Sequence, residues 1–153
     1  MADAVERFTD AAAALGFVAE VLTMDQSTHT AAEAAAAIGC EVGAIVKSLV
    51  LLGDGEPMIA LVSGTNRVDT ALLGRELGLT IAMSDAKTVK EATGYSIGGV
   101  PPFGHVRTLR TVIDVDLVRY ERVWAAAGSA TAVFGIDPDS LIELTAGEIV
   151  HVS

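Results

Sequence analysis

The stretch Ala44-Ile45-Val46-Lys47-Ser48-Leu49-Val50-Leu51-Leu52 decides the fold class, together with the segment directly after it. Gly53-Asp54-Gly55 comes next, then Met58-Ile59-Ala60-Leu61-Val62. Two nearly continuous apolar runs, each too short for a buried helix, flank an Asp-Gly turn signal. That is the pattern of a β-hairpin whose strands are buried on both faces. Lys47 is the anomaly inside it. Desolvating an ammonium costs several kcal/mol, so a lysine here must pair, reach a cleft or lose its proton. Either it is a cation at the floor of a pocket, aimed at a phosphate or carbonyl oxygen, or it snorkels to water from the strand start. The other two lysines, Lys87 and Lys90, sit in a segment with easy access to solvent.

Outward from the hairpin, helices and strands alternate irregularly. Val5, Phe8, Ala12 and Leu15 have helical spacing, and Gly16 ends the pattern. Phe17 to Leu22 reads as a strand. Thr30 and Glu33 form a capping box before an alanine-rich helix that Gly39 terminates. Asp69 to Leu77 reads as a helix stopped by Gly78, and Leu79 to Met83 as a short strand. Ser84 is the expected cap of a further helix, with Asp85 in its first turn, running to Gly94. Thr111 to Val115 is a strand, followed by a short helix near Asp116 to Tyr120. Val123 to Ala127 and Ala132 to Phe134 are short strands, Pro138 opens a helix through Leu144, and Glu148 to Val152 closes as a strand. With no strict βαβ order, the expected fold class is α+β with a mixed sheet. No linker, repeat or charge block divides the 153 residues, so one domain over 1–153 is expected.

Composition excludes several classes. Ten Lys+Arg against 20 Asp+Glu leave a formal charge of −10, which argues against duplex DNA or an anionic membrane as the main partner. A few local contacts to one end of an RNA remain compatible with it. The single cysteine, Cys40, can make no intrachain disulfide. No apolar run reaches the ~18 residues of a membrane span. No basic-then-apolar leader precedes Val5, so the cytoplasm is the expected compartment. His29, His105 and His151 are scattered without metal-ligand spacing, and neither metal nor cofactor is expected.

Residues 94–105, Gly-Tyr-Ser-Ile-Gly-Gly-Val-Pro-Pro-Phe-Gly-His, cannot form a regular element. Glycines permit close backbone approach, and prolines stiffen the path. Such a loop can hold main-chain N–H and C=O groups toward a ligand, or serve topology alone. Gly94-Tyr95-Ser96-Ile97-Gly98 matches G-x-S-x-G, but a nucleophile elbow needs a strand before it and a helix after it. Both are missing, which disfavours a serine esterase built on Ser96 and His105. Asp114, in an apolar strand, needs a donor, whether backbone or arginine.

The ordered set of Thr30-x-x-Glu33, Ile45-Val46-Lys47-Ser48-Leu49, Gly98-Gly99-Val100-x-Pro102-x-Gly104, Asp114, Gly128 and the closing Asp-Pro-x-Ser-Leu-Ile-x-Leu resembles one known family. It is the YbaK/EbsC and ProX family of aminoacyl-tRNA deacylases, related to the editing domain of bacterial prolyl-tRNA synthetases. The resemblance runs from about residue 5 to the end. It implies a mixed, barrel-like sheet with surrounding helices. It implies hydrolysis of the ester of a mischarged tRNA at its 3′ aminoacyl end, with tRNA for proline carrying a small wrong residue such as alanine or cysteine as the expected substrate. By the same resemblance Lys47 is the catalytic residue, holding and polarising the substrate, and no side chain attacks. Gly98, Gly99, Val100, Pro102, Gly104, His105, Gly128 and Thr131 are the implied substrate-binding residues. Relatives often carry a histidine in a G-S/T-P-H stretch, and Thr131 of Gly128-Ser129-Ala130-Thr131 stands in its place. Cations available to hold RNA are Arg67, Arg75, Lys87, Lys90, Arg107 and Arg110; a prolyl-tRNA synthetase partner would supply more. A protein that binds an aminoacyl or nucleotide-like ligand, or a synthetase, without turnover is the alternative.

Overall fold

The computed structural model describes residues 3–24 and 30–153. His29 lies outside them. The expected hairpin is present. Strand β2 (Val46–Gly53) pairs antiparallel with β3 (Glu56–Ser63) along its full length, from Val46↔Ser63 to Gly53↔Glu56. Asp54 and Gly55 link them with φ of 50° and 85°, the two left-handed residues of a type I′ turn.

Five helices surround the strands: α1 (Ala4–Ala14), α2 (Ala31–Ile38), α3 (Thr70–Leu77), α4 (Ala86–Thr93) and α5 (Pro138–Thr145). Each starts at an Asp or Thr whose side chain accepts from the N–H three residues on. For α4 that residue is Asp85, which accepts from Thr88 N at 2.8 Å. This corrects the expectation of Ser84 as its cap. Ser84 is drawn to the sheet instead, where its Oγ donates to the Val50 carbonyl at 2.7 Å. Two further expectations shrink. The strand expected over 17–22 is β1 (Val21–Thr23), and the short helix after Asp114 is a 3-10 turn over Val115–Leu117. The remaining strands are β4 (Ile81–Met83), β5 (Arg110–Asp114), β6 (Val123–Ala126), β7 (Ala132–Ile136) and β8 (Glu148–Val150).

The strands form two sheets. The larger has the order β4-β2-β3-β5-β8, with β3–β5 and β5–β8 parallel and the other pairs antiparallel. The smaller is antiparallel, in the order β1-β7-β6. The class is α+β and the larger sheet mixed, as the sequence predicts. The expected barrel-like closure is not found. The outer edge of β2 meets β4 only at Leu51–Gly53, and among the described residues the sheets join at one bridge, Ile45↔Trp124. A barrel needs that edge paired throughout, and here it stays open from Val46 to Val50.

One core lies between the sheets, with Val46, Val50, Ile59 and Leu61 on one side and Val123, Ala125 and Phe134 on the other. All four phenylalanines meet there, with ring centroids 4.9 to 5.9 Å apart. Phe8 comes from α1, Phe134 from β7 and Phe103 from the glycine-proline loop, so Phe103 anchors that loop to the core. A second core, on the far face of β2, gathers Leu51, Met58, Val62 and Leu73. No described helix is long and apolar enough to cross a membrane.

Candidate functional site

The open edge of β2 is one wall of a cavity of about 450 Å³. Trp124 to Ala126 of β6 form the facing wall, α2 contributes Ala31 and Ala34, and α4 contributes Val89. Gly98 and Val100 of the 94–105 loop and Ser129-Ala130 of the β6–β7 turn complete it. Met83 and Ile97 also line it while remaining 62% and 63% exposed, which marks its mouth. The walls are rich in alanine, and among the described residues lining the cavity there is no Asp, Glu, His or Cys.

Among the described lining residues Lys47 is the ionisable group. It is half-buried, and its Nζ donates to the main-chain carbonyl of Asn66. In the pleat it shares the face of Leu49 and Leu51, while Val46, Ser48 and Val50 share the other. Burial lowers the lysine pKa, nearby Arg67 lowers it further, and Asp114 pulls it back up. Asn66 also joins Lys47 to the buried acid. Its Nδ2 donates to Asp114 Oδ2 at 2.8 Å and to Asp116 Oδ2 at 2.7 Å. Asp114 further accepts from Ser63 N at 3.0 Å and Asp116 N at 2.9 Å. Its donors are thus backbone and amide, and no arginine is among them.

The glycines of the loop have separate tasks. Gly98 has φ of 93° and lines the cavity. Gly99 packs on the β6–β7 turn so closely that a Cβ there would sit 2.8 Å from Gly128 O and 2.8 Å from Ser129 Cα. Gly128, at φ 110°, lies against α1, where a Cβ would be 2.6 Å from Ala4 O. Loop, turn and first helix are therefore stacked backbone on backbone, which only glycine allows.

Pro102, Gly104 and His105 are not among the residues that line the cavity. Pro102 is buried, and Gly104 packs on Ala11 and Phe8 of α1. His105 Nε2 donates to the Pro101 carbonyl at 2.6 Å, and burial pushes its pKa down, partly offset by that bond. Thr131 is beside the cavity but not in its lining. Its Oγ1 is 3.3 Å from Ser129 Oγ, and its carbonyl accepts from Met24 N at 2.7 Å. Ser96 is exposed on a turn, its carbonyl accepting from Gly99 N, and makes no bond to His105.

Ser48, Ser84 and Trp124 are cavity residues that the reading from sequence does not single out. The sole tryptophan is the one available signal, since so large a side chain on a short strand must cover something. Arg122 stacks on it, with its guanidinium carbon 4.9 Å from the ring centroid. Of the cations considered for RNA, Arg110 is committed to Glu148 at 2.9 Å and Lys90 donates to the Gly94 carbonyl at 3.3 Å.

Known proteins resemble this chain in sequence and in fold. The family profile described as "Aminoacyl-tRNA editing domain" matches residues 25–144. An uncharacterized protein of Bacillus subtilis (strain 168), YwhH, is 31% identical over 131 residues, which is 85% of this chain and 83% of that one. The proline–tRNA ligase of Nitratidesulfovibrio vulgaris (strain DP4) is 34% identical over 108 residues, 70% of this chain. The match spans 18% of that ligase, so the chain corresponds to a small part of it. A crystal structure described as a proposed trans-editing enzyme for prolyl tRNA synthetase superposes with a TM-score of 0.94 at 40% identity, covering 100% of this chain and 98% of that one. With most of its length matched by the profile and the fold shared throughout, the chain belongs to the aminoacyl-tRNA editing domain family.

Proposed function

We propose that this protein is a hydrolase that deacylates mischarged tRNA in trans. The substrate is tRNA for proline carrying a small wrong residue such as alanine or cysteine, and the setting is the cytoplasm. The observation that carries the reading is the cavity itself. Alanine walls and a volume of about 450 Å³ suit a small side chain attached to a terminal nucleoside. The open strand edge and the glycine loop offer main-chain groups to the aminoacyl ester.

The chemistry is dictated by what the walls lack. The described lining residues include no carboxylate, imidazole or thiol, and their hydroxyls have no such group beside them to take a proton. Catalysis then rests on orientation and charge. Water adds to the ester carbonyl, the acyl C–O bond breaks, and the amino acid and a free ribose hydroxyl leave. The Lys47 ammonium stabilises negative charge developing on the substrate oxygens, and loop N–H groups hold the ester in place. Pocket size does the sorting. A hydrophobic difference of a methylene or so discriminates only about 10–200-fold in one step, which is why a second selection after charging is useful.

The test is hydrolysis of Ala-, Cys- and Ser-tRNA for proline, with Pro-tRNA as control, by wild type and Lys47→Ala. One mischarged species should be cleared rapidly, with a loss of about 100-fold or more in Lys47→Ala, as for other groups that stabilise a developing oxyanion. A Lys47→Ala enzyme as fast as wild type would remove the lysine from the mechanism. The engagement of the lysine amine by Asn66 favours one second reading, binding without turnover. Tight binding of aminoacylated RNA with no hydrolysis across the panel would select it.

A further inference from the structure

Ser48 presents an unmet hydrogen-bonding requirement at the cavity wall. Four hydroxyl side chains line the cavity. Thr30 caps α2, Ser84 bonds the Val50 carbonyl, and Ser129 pairs with Thr131. Ser48 Oγ is enclosed and has no partner, the one such side-chain atom among the described residues. A buried hydroxyl left unpaired costs about 1–3 kcal/mol, so its retention points to a partner that arrives from outside.

The main chain at Ser48 is in the same condition. Val50 turns its carbonyl away from β3, toward Ser84. Main-chain groups alternate between the two edges of a strand, so Ser48 N–H and C=O point the same way. Among the described residues β4 pairs with this edge only as far as Leu51, and β6 pairs with it only at Ile45. Among the described residues the outer edge of β2 at Ser48, which lines the cavity, therefore has no strand paired to it.

We infer that Ser48 is a substrate-positioning residue whose carbonyl and Oγ accept the α-ammonium of the aminoacyl group. This rests on the deacylase reading for the identity of the ligand. An ammonium in this cavity meets no carboxylate among the described lining residues, so neutral oxygens take its protons, and Ser48 offers an Oγ without a partner beside a carbonyl on an unpaired stretch of strand edge. The Ser48 N–H, on the same edge and with no strand partner among the described residues, is placed to donate to the acyl carbonyl.

The probes are 3′-alanylamido-3′-deoxyadenosine, which cannot be hydrolysed as an ester, and its propionyl counterpart, which lacks the α-amino group. Wild type should bind the alanyl compound at least tenfold more tightly than the propionyl one. Ser48→Ala should reduce that preference at least fivefold, and Ser48→Thr, which keeps the hydroxyl, should preserve it. The melting temperature of Ser48→Ala should equal or exceed that of wild type, because the unpaired hydroxyl is gone; this separates the role from a structural one. An unchanged preference in Ser48→Ala overturns the inference even if the enzyme deacylates tRNA. Discrimination by wild type that Ser48→Ala loses, in a protein without hydrolytic activity, supports the inference and overturns the deacylase reading. Failure of wild type to bind either compound overturns both.

Discussion

At the scale of the residue, the informative positions are those where burial and chemistry conflict. Lys47 is visible from the sequence because a charge in an apolar run is unusual. Its partner is not visible there, since Asn66 lies 19 residues away and offers a main-chain oxygen. Asp114 is visible for the same reason, and its need for donors is met by Ser63, Asn66 and Asp116. His105 reads as a site residue from its neighbours in the chain; its ring bonds the Pro101 carbonyl, and it is not among the residues lining the cavity. Its buried ring has a consequence for pH. Burial holds the folded pKa below the unfolded value of about 6.5, so between those two values the unfolded chain binds more protons. Stability contributed by His105 is therefore present above about pH 6.5 and lost on acidification toward the folded pKa. Urea midpoints measured from pH 7 to 5 should fall in wild type and fall less in His105→Gln. Equal slopes in the two proteins would show that the ring does not titrate in this way.

At the scale of the element, the helices and the hairpin are legible because their signals are local. Caps, stop glycines and an Asp-Gly turn act within a few residues, and the structure keeps nearly all of them. Ser84 and Asp85 show the limit: two good caps stand side by side, and the choice between them depends on Val50, more than thirty residues away. The glycine-proline loop is legible as irregular, but its division of labour is not. Gly98 faces the cavity, Gly99 buttresses the β6–β7 turn, and Phe103 sits in the aromatic cluster. The buttress gives a prediction. Gly99→Ala drives a methyl into the backbone of Gly128 and Ser129, neither of which can swing aside. Stability should fall by about 1–3 kcal/mol, the usual cost of overpacking, and deacylation should fall with it as the loop and turn separate. Chemical denaturation and the tRNA assay read the two effects. A Gly99→Ala protein with wild-type stability would mean that loop and turn can part at little cost.

At the scale of the whole molecule, the sequence does not reveal how strands far apart along it meet. Every strand has its local signal, yet the barrel-like closure is not realised, because closure depends on how far β4 and β6 run along β2. Charge acts at the same scale. A net charge of −10 repels an RNA at long range, so a deacylase of this composition would hold tRNA through few phosphate contacts. The salt dependence of kcat/KM should therefore be shallow, with a log–log slope of about −3 or less in magnitude, equivalent to about four single-strand phosphate contacts at ~0.7 each. Deacylation rates between about 50 and 300 mM salt measure it, and a slope near roughly −8 would reveal an extensive basic footprint. The single bridge between Ile45 and Trp124 has a mechanical meaning. Two plates riveted at one point are held elsewhere by the side chains packed between them, and whatever lies in the gap beyond the rivet adds to what sets the angle. A ligand that spans from the Ser48 rung to β6 would act as a second rivet. An occupied protein would then be stiffer than an empty one across the whole joint, and the amide of Ser48 would exchange its hydrogen more slowly when the gap is filled.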